Sequence, residues 1–292
     1  MGLAVVFSGQ GMQHPQMLPW LDERRVADMP GWRKALEDPA WAARNANAQP
    51  LLTGLALAAW QDLAPLLPRP EAVAGYSVGE LAAFAVAGVF EPSTAQALAV
   101  QRAAAMDRCP PGGLVAVTGL APDAIAALCT TTGCHVAIEN GFDTVVLGGP
   151  HASLAAMRAQ AEVSGAHCTP LRVEVSSHTP AMQPAADAFA TLLADLTLRA
   201  PTLPLFSNAC GERLWNAPQA ADALAAQIAR TVRWATCMDQ IQARRATCVL
   251  EIGPGGALAR LWNQRHPGVQ ARSVDEFRSV AAVADWVARQ IG

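Results

Sequence analysis

Apolar runs and polar breaks follow two different periods along this chain. Residues 3–7, LAVVF, form a short continuous apolar run that ends in Ser8-Gly9-Gln10-Gly11. A run of that length closed by glycines predicts a buried strand entering a tight turn. Over residues 51–67, Leu51, Leu52, Leu55, Ala58, Ala59 and Leu63 return at helical spacing, so a helix is expected there. Residues 71–75 predict a second short strand. Val78 to about Ala87 predicts a helix, with Gly88 placed as its C-terminal cap. Ser93 stands where an N-cap would open the next helix, which runs to about Asp107. Strands and helices in this alternation imply a largely parallel sheet covered by helices.

From Gly113 the texture changes. LVAVTGL, CHVAIEN, DTVVLGG and HCTPLRVEV predict strands, while PDAIAALCTTT and ASLAAMRAQAEVSG predict helices. The order is β-α-β-β-α-β, the ferredoxin-like pattern. Residues 113–176 are therefore expected to form an inserted subdomain, entered through Pro110-Pro111-Gly112-Gly113 and left through Ser176-Ser177. Residues 1–112 and 177–292 would form the large α/β catalytic domain. In its second part, PAMQPAADAFATLLADL predicts a helix, LPLFSN a strand and residues 217–245 a helical stretch. CVLEI then predicts a strand, Gly253-Pro254-Gly255-Gly256 a turn, and ALARLWNQ a helix.

Composition narrows the function classes. The chain has 292 residues, 52% of them hydrophobic, enough for one large core or a core plus a subdomain. Charged residues make up 15%, the net charge is -3, and no basic run exceeds two residues, as at Arg244-Arg245. A nucleic-acid binder would show a basic stripe, so none is expected. The first residues, MGLAVVFSGQG, lack the basic start and long apolar run of a signal peptide. The apolar stretch from Leu81 to Phe90 is too short to span a bilayer. A soluble, cytoplasmic protein without a membrane partner is the expectation. The seven cysteines include no Cys-x-x-Cys pair, and Cys129, Cys134 and His135 match no zinc spacing. Reduced thiols and no metal site are expected.

Candidate chemistry centres on Gly75-Tyr76-Ser77-Val78-Gly79, which holds the chain's only tyrosine. Gly-x-Ser-x-Gly between a strand and a helix is the nucleophile-elbow pattern. Glycines on both sides relieve crowding at a sharp turn, and the helix that follows points free N–H groups, chiefly that of Val78, at a developing oxyanion. A structural strand-to-helix turn would read similarly. Serine needs a base. Of six histidines, His178 lies where the chain leaves the insert, after the strand LRVEV, a position that suits catalytic groups. A satisfied structural histidine is the plainer alternative. Arg102, in the helix ALAVQRAAAMDR, would need an anionic partner if buried, and a substrate carboxylate could supply it; an arginine reaching solvent is the other reading. The loop around Gln10 lacks the third glycine of a dinucleotide fingerprint and has no Walker lysine, but it could lend an N–H to an oxyanion hole.

Together these segments resemble the malonyl-CoA:acyl carrier protein transacylase family. FSGQGMQ is similar to that family's Phe-Pro-Gly-Gln-Gly-x-Gln, GYSVGELAA to its Gly-His-Ser-x-Gly-Glu elbow, and QRAAAM to its Gln-Arg-x-x-x-Met helix. VEVSSHTPAM is similar to its Val-x-Ser-His-x-x-x-Met segment, and SNACG, AAQIARTVRW and LEIGPGGAL follow in the family's order. The resemblance covers about residues 5 to 262. It implies an α/β-hydrolase-like core with a mostly parallel sheet plus the inserted ferredoxin-like subdomain. It further implies that Ser77 is acylated by malonyl, that His178 is its base, and that the backbone carbonyl of Gln227 steadies His178. Gln10 and Val78 would supply oxyanion N–H groups, Arg102 would bind the malonyl carboxylate, and Asn208 would line the same pocket. The implied substrates are malonyl-CoA, a coenzyme A thioester, and an acyl carrier protein, with no bound cofactor.

Two departures from the family pattern stand out. Ser8 replaces a proline, which is expected to change little. Tyr76 replaces the histidine beside the nucleophile, which in the family helps hold the malonyl carboxylate; a phenol carries no positive charge near neutrality. Two settings fit, fatty-acid synthesis and the charging of a bacterial malonate decarboxylase carrier subunit, and Tyr76 with the compact length leans to the second. A serine hydrolase (thioesterase or esterase) would share Ser77 and His178, though no acid stands at a convincing triad position. A non-catalytic carrier-binding module is the third class.

Overall fold

The first apolar run becomes β1 (Gly2–Phe7), buried at every position. A computed structural model of the chain describes residues 2–26 and 28–292. Two short helices, α1 (Trp32–Ala35) and α2 (Pro39–Ala43), lead into α3 (Asn45–Leu63), β2 (Ala72–Gly75), α4 (Gly79–Val86) and α5 (Pro92–Asp107). A second group follows: β3 (Gly113–Thr118), α6 (Pro122–Thr132), β4 (His135–Glu139), β5 (Thr144–Gly149), α7 (His151–Val163) and β6 (His167–Pro170). The chain then continues through α8 (Gln183–Ala194), β7 (Leu205–Phe206), β8 (Arg213–Leu214), α9 (Ala217–Ala226) and α10 (Trp234–Ala243). It ends with β9 (Ala246–Ile252), α11 (Ala257–Arg265), β10 (Gln270–Ser273) and α12 (Val280–Ile291).

Six strands make one sheet in the order β10-β9-β1-β2-β7-β8. All neighbours are parallel except β8, which runs antiparallel at the edge. A parallel sheet covered on both faces must be apolar on both, which is why its strands read as continuous runs. Along β1, Leu3, Val5 and Phe7 enter the core shared with α3, α4 and α5, while Ala4 and Val6 face Trp234, Met238 and Trp262 on the other side. β1 and β2 both end at the same edge, where Phe7 pairs with Gly75. The site is built at that edge.

The second sheet has the order β4-β5-β3-β6, with every neighbouring pair antiparallel. This is the strand order of a split βαβ pair, as the sequence pattern implies. Its two faces divide by the period of two. Val115, Val117, Val145 and Leu147 pack with Ile125, Leu128, Leu154 and Met157 from α6 and α7. Leu114, Ile138 and Val146 turn the other way, against Val6 and Trp234 of the large sheet's core. The small sheet therefore carries its own core and also seals one side of the large one. Among the described residues, no helix is long and apolar enough to cross a membrane.

Four expectations need correction. The helix expected over 51–67 starts at Asn45 and holds Pro50 in its interior. One lost backbone bond at Pro50 is outweighed by the burial of Asn45, Ala48, Gln49 and Pro50. The helix assigned to a Ser93 cap starts at Pro92, with Glu91 as cap residue and no side-chain capping bond. Proline suits the first helical position, because its missing N–H has no partner there anyway. The strand expected through Val175 stops at Pro170. The helical stretch 217–245 is broken between α9 and α10. There Val232 N–H donates to Ala137 O at 2.9 Å and Glu139 N–H to Val232 O at 2.8 Å. Thr231 Oγ1 also donates to Val136 O at 2.7 Å, so this segment pairs with β4 instead of staying helical.

A local test of the small core follows. Leu147→Ala should cost about 2–5 kcal/mol. Amide hydrogen exchange should accelerate across residues 113–170 while β1 and β9 keep their protection. Equal loss of protection in both sheets would show that the small core has no separate cooperativity.

Candidate active site

Ser77 occupies the turn between β2 and α4 with φ of 54°, in the left-handed region. The turn is too crowded for side chains on either side. A Cβ on Gly75 would lie 2.2 Å from Glu80 N, and one on Gly79 would lie 2.3 Å from Phe7 O. The glycines of the motif are thus required by close backbone approach. Val78 is the N-cap residue of α4. Among the described residues, neither its N–H nor that of Gln10 donates to a protein acceptor. Both stand free to bind an anion at the positive end of a helix and its neighbouring loop.

His178 also adopts a left-handed conformation, with φ of 64°, and is 1% exposed. Its Nε2 lies 2.8 Å from Ser77 Oγ, and its Nδ1 lies 2.5 Å from the backbone carbonyl of Gln227. A carbonyl only accepts, so Nδ1 carries the proton and Nε2 accepts from the Ser77 hydroxyl. The His178 backbone is fixed as well, its N–H donating to Ile228 O at 2.8 Å. Burial, and then the charge of Arg102, lower the imidazole to about 3, against the opposing bond to Gln227. The ring is neutral at pH 7 and able to take a proton. The other histidines stand elsewhere. His14 and His266 pair with Asp275 and Asp239, and His135, His151 and His167 are exposed.

Arg102 reaches the same point from α5. It is 1% exposed, and its guanidinium donates to Gln49 Oε1 at 2.8 Å, Gln227 Oε1 at 3.3 Å and Ser77 Oγ at 3.5 Å. All three partners are neutral, and Arg102 Nε is buried with no acceptor. Burial lowers the guanidinium to about 10, so it remains charged at pH 7. Arg102, Gln49, Tyr76, Ser77, His178 and Gln10 line a cavity of about 40 Å³, walled by Leu114, Ile138, Leu171 and Val173. That is room for a few water molecules or a very short acyl chain.

Tyr76 packs edge-on against Trp234, with ring centroids 5.3 Å apart, and its hydroxyl donates to Asn140 Oδ1 at 3.2 Å. Burial raises the phenol further above its usual range, so it is uncharged. Asn208 is buried but does not line the cavity; its Nδ2 donates to Gly75 O at 3.0 Å, behind the elbow. Ser8 is more than filler, since its hydroxyl donates to the buried Glu251 Oε1 at 2.7 Å. Gln49 and Asn140 complete the site but belong to no sequence motif. A single polar residue in a loop or helix gives no signal until the fold places it. Among the described residues, no group of three or more His, Cys, Asp or Glu gathers as a metal site would.

A hydroxyl, a neutral imidazole and a cation with only neutral partners around a small cavity, with two free N–H groups on the adjoining turn and loop, suit attack on an acyl carbonyl that carries a negative group. Residues 36–285 match the acyl transferase domain. The chain belongs to the acyl transferase family. It is 33% identical over 290 residues to the malonyl CoA-acyl carrier protein transacylase of Mycobacterium bovis, covering 93% of this chain and 96% of that protein. The crystal structure of FabD from Acinetobacter baumannii superposes with a TM-score of 0.87 at 29% identity, over 99% of this chain and 98% of that one. A malonyl-transacylase solved with its type II PKS acyl-carrier protein gives a TM-score of 0.87 at 26% identity, over 98% and 99%.

The electrostatics of this acyl transferase's histidine can be tested directly. The folded imidazole sits at about 3, against an ordinary 6.5, so the unfolded chain binds more protons between those values. The stabilising effect of a neutral His178 is fully present above pH 6.5 and is lost as pH falls toward 3. Urea denaturation should therefore show His178→Gln gaining on the wild type as pH falls from 6.5 to 4. The gain should reach about 1.4 kcal/mol per pH unit. A constant difference would mean the imidazole titrates normally.

Proposed function

We propose that this protein transfers a malonyl group from coenzyme A to the phosphopantetheine-type thiol of an acyl carrier protein, acting in the cytoplasm through an acyl-enzyme on Ser77. The observation that carries the reading is Arg102: a buried, charged guanidinium with only neutral partners, 3.5 Å from Ser77 Oγ in a cavity too small for a long acyl chain. An acyl group ending in a carboxylate completes that arrangement through charge-assisted hydrogen bonds.

In the first half-reaction, Ser77 Oγ attacks the thioester carbonyl as its proton passes to His178 Nε2. The N–H groups of Gln10 and Val78 hold the tetrahedral oxyanion. The C–S bond breaks, and His178 returns the proton to the departing coenzyme A thiolate. The Gln227 carbonyl keeps the proton on Nδ1 throughout, so Nε2 always faces the reaction. In the second half-reaction the carrier thiol loses its proton to His178 and attacks the Ser77 ester. The C–O bond breaks, His178 Nε2 returns its proton to Ser77 Oγ, and the serine is restored, a ping-pong sequence. In this reading residues 1–112 and 177–292 carry the reacting groups, while the inserted unit, residues 113–176, walls the acyl cavity. Fatty-acid synthesis and the charging of a malonate decarboxylase carrier share this chemistry, and gene neighbours separate the two settings.

A serine hydrolase would use the same Ser77 and His178, so the fate of the adduct discriminates. Mass spectrometry after incubation with malonyl-CoA should find a malonyl mass on Ser77, absent in Ser77→Ala, that is discharged by a pantetheine thiol far faster than by water. No adduct overturns the transferase reading, and equal loss to water favours the hydrolase.

Arg102→Ala should lower kcat/KM for malonyl-CoA by roughly 10- to 150-fold, the value of about 1.5–3 kcal/mol for hydrogen bonds to a charged group. Acetyl-CoA turnover should hold or improve. Equal loss for both acyl groups would remove Arg102 from carboxylate binding.

Tyr76 spends its hydroxyl on Asn140 and offers no charge, which leaves Arg102 as the one permanent cation among the described residues that line the cavity. Tyr76→His should raise the preference for malonyl over acetyl, measured as a ratio of kcat/KM values. An unchanged ratio would show that this position does not set selectivity.

A further inference from the structure

One buried acid lies beside the elbow and takes no part in the proton transfers. Glu80 is the second residue of α4 and is 0% exposed. Its Oε1 accepts the backbone N–H of Asn208 at 2.7 Å. Asn208, also 0% exposed, donates its side-chain Nδ2 to Gly75 O at 3.0 Å. Its own carbonyl accepts Arg233 N–H at 2.7 Å, which anchors it to the segment ahead of α10. Gly75 is the last residue before the elbow, and Glu80 follows it closely. Asn208 therefore grips the strand that enters the turn and the helix that leaves it.

We infer that Glu80 and Asn208 form a clasp that positions Ser77, holding the two ends of the elbow together so that the serine stays in its left-handed conformation against His178. The inference rests on the acyl-enzyme reading above, and assigns neither residue a contact with substrate.

The acid works without its charge. Among the described residues, Glu80 Oε2 and Asn208 Oδ1 are buried with no hydrogen-bond partner within 3.5 Å, and of side chains only the Ser207 hydroxyl stands by the carboxyl as a donor, an arrangement that a carboxylate would tolerate poorly. Burial raises the carboxyl to about 8, against the bond from Asn208 N–H, the neighbouring Ser207 hydroxyl and the charge of Arg102. The charged or titratable groups facing it are Arg102 from α5 and Cys237 from α10. A folded value above the unfolded one means that the stabilising effect is full below pH 4.5 and is lost as pH rises through about 8.

The test compares Glu80→Gln, Glu80→Ala and Asn208→Ala for kcat and KM with malonyl-CoA and a pantetheine thiol. The rate at which a neutral serine-directed sulfonyl fluoride modifies the protein is measured alongside. Glutamine keeps the acceptor for Asn208 N–H, so Glu80→Gln should stay within roughly threefold of wild type in kcat at pH 7. It should also flatten the fall in thermal stability between pH 4.5 and 8. Glu80→Ala should lose roughly 10- to 100-fold in kcat and in sulfonyl fluoride reactivity with little change in KM. Wild-type kcat in Glu80→Ala, or equal damage in Glu80→Gln, would overturn the clasp. Where Glu80→Ala fails to fold, Asn208→Ala decides, since it removes only the grip on Gly75. Lower kcat at constant KM supports the clasp, and unchanged kcat overturns it. A wild type that reacts with the sulfonyl fluoride but forms no malonyl adduct would sink the transferase reading, and the fluoride rates would still judge the clasp.

Discussion

Ser77 and His178 share a hydrogen bond of 2.8 Å, and each holds a left-handed backbone that costs an L-residue about 1–2 kcal/mol. Neither would keep that conformation alone. The surrounding structure supplies the constraint. The elbow is wedged under the end of β1, where Tyr76 N–H donates to Phe7 O at 2.9 Å and Gly79 sits so close to Phe7 O that it cannot carry a Cβ. His178 is tied through its own N–H to Ile228 O. The strain is local, the support comes from two cores, and the result is a serine hydroxyl aimed at an imidazole before any substrate arrives.

The partner of the imidazole is a carbonyl, and that choice bears on the electrostatics. A carboxylate behind His178 would stand near Arg102 and compete with an anionic acyl group for the same guanidinium. Gln227 avoids this. Its backbone carbonyl takes Nδ1–H, while its side-chain Oε1 takes a hydrogen bond from Arg102. Both contacts are neutral, so the cation keeps its charge for a ligand. The carbonyl is free for His178 because α9 ends at Ala226, residues 227–230 turn out of the helix, and Thr231 and Val232 bond to β4. Helix ends leave carbonyls without intrahelical partners, and this one is used.

The sequence made parts of this legible where a local rule was strict. Glycines at positions 75 and 79 announce a turn that excludes side chains, and alternating elements announce a parallel sheet. The break after Gln227 was not legible. AAQIARTVRW has good helical composition, and only the neighbouring β4, whose backbone needs partners, pulls Val232 out of the helix. Pro50 failed in the other direction, since an interior proline survives where the first turns of α3 are buried against the site. Arg102 could be read as half of a pair, but its burial depends on α3 and Gln49 crossing from fifty residues away, which no spacing rule encodes. Asn208 was placed in the pocket by resemblance and lies behind it by geometry.

Tyr76 shows how the insert and the elbow depend on one another. Its ring leans on Trp234 at the start of α10, and its hydroxyl reaches Asn140 at the end of β4. The same β4 backbone pairs with Val232, next to the segment that presents Gln227. One strand of the small sheet thus holds the residue before Ser77 and the loop behind His178. Displacing β4 would loosen both sides of the Ser77–His178 bond together. On the reading proposed here, a carboxylate on Arg102 has a second consequence. It neutralises the charge that, after burial, most lowers His178. Proton transfer from Ser77 then leaves an imidazolium beside an ion pair in place of a bare cation. Recognition of the acyl group and basicity of the histidine are coupled through one guanidinium, and an uncharged acyl group in the same cavity would receive neither benefit.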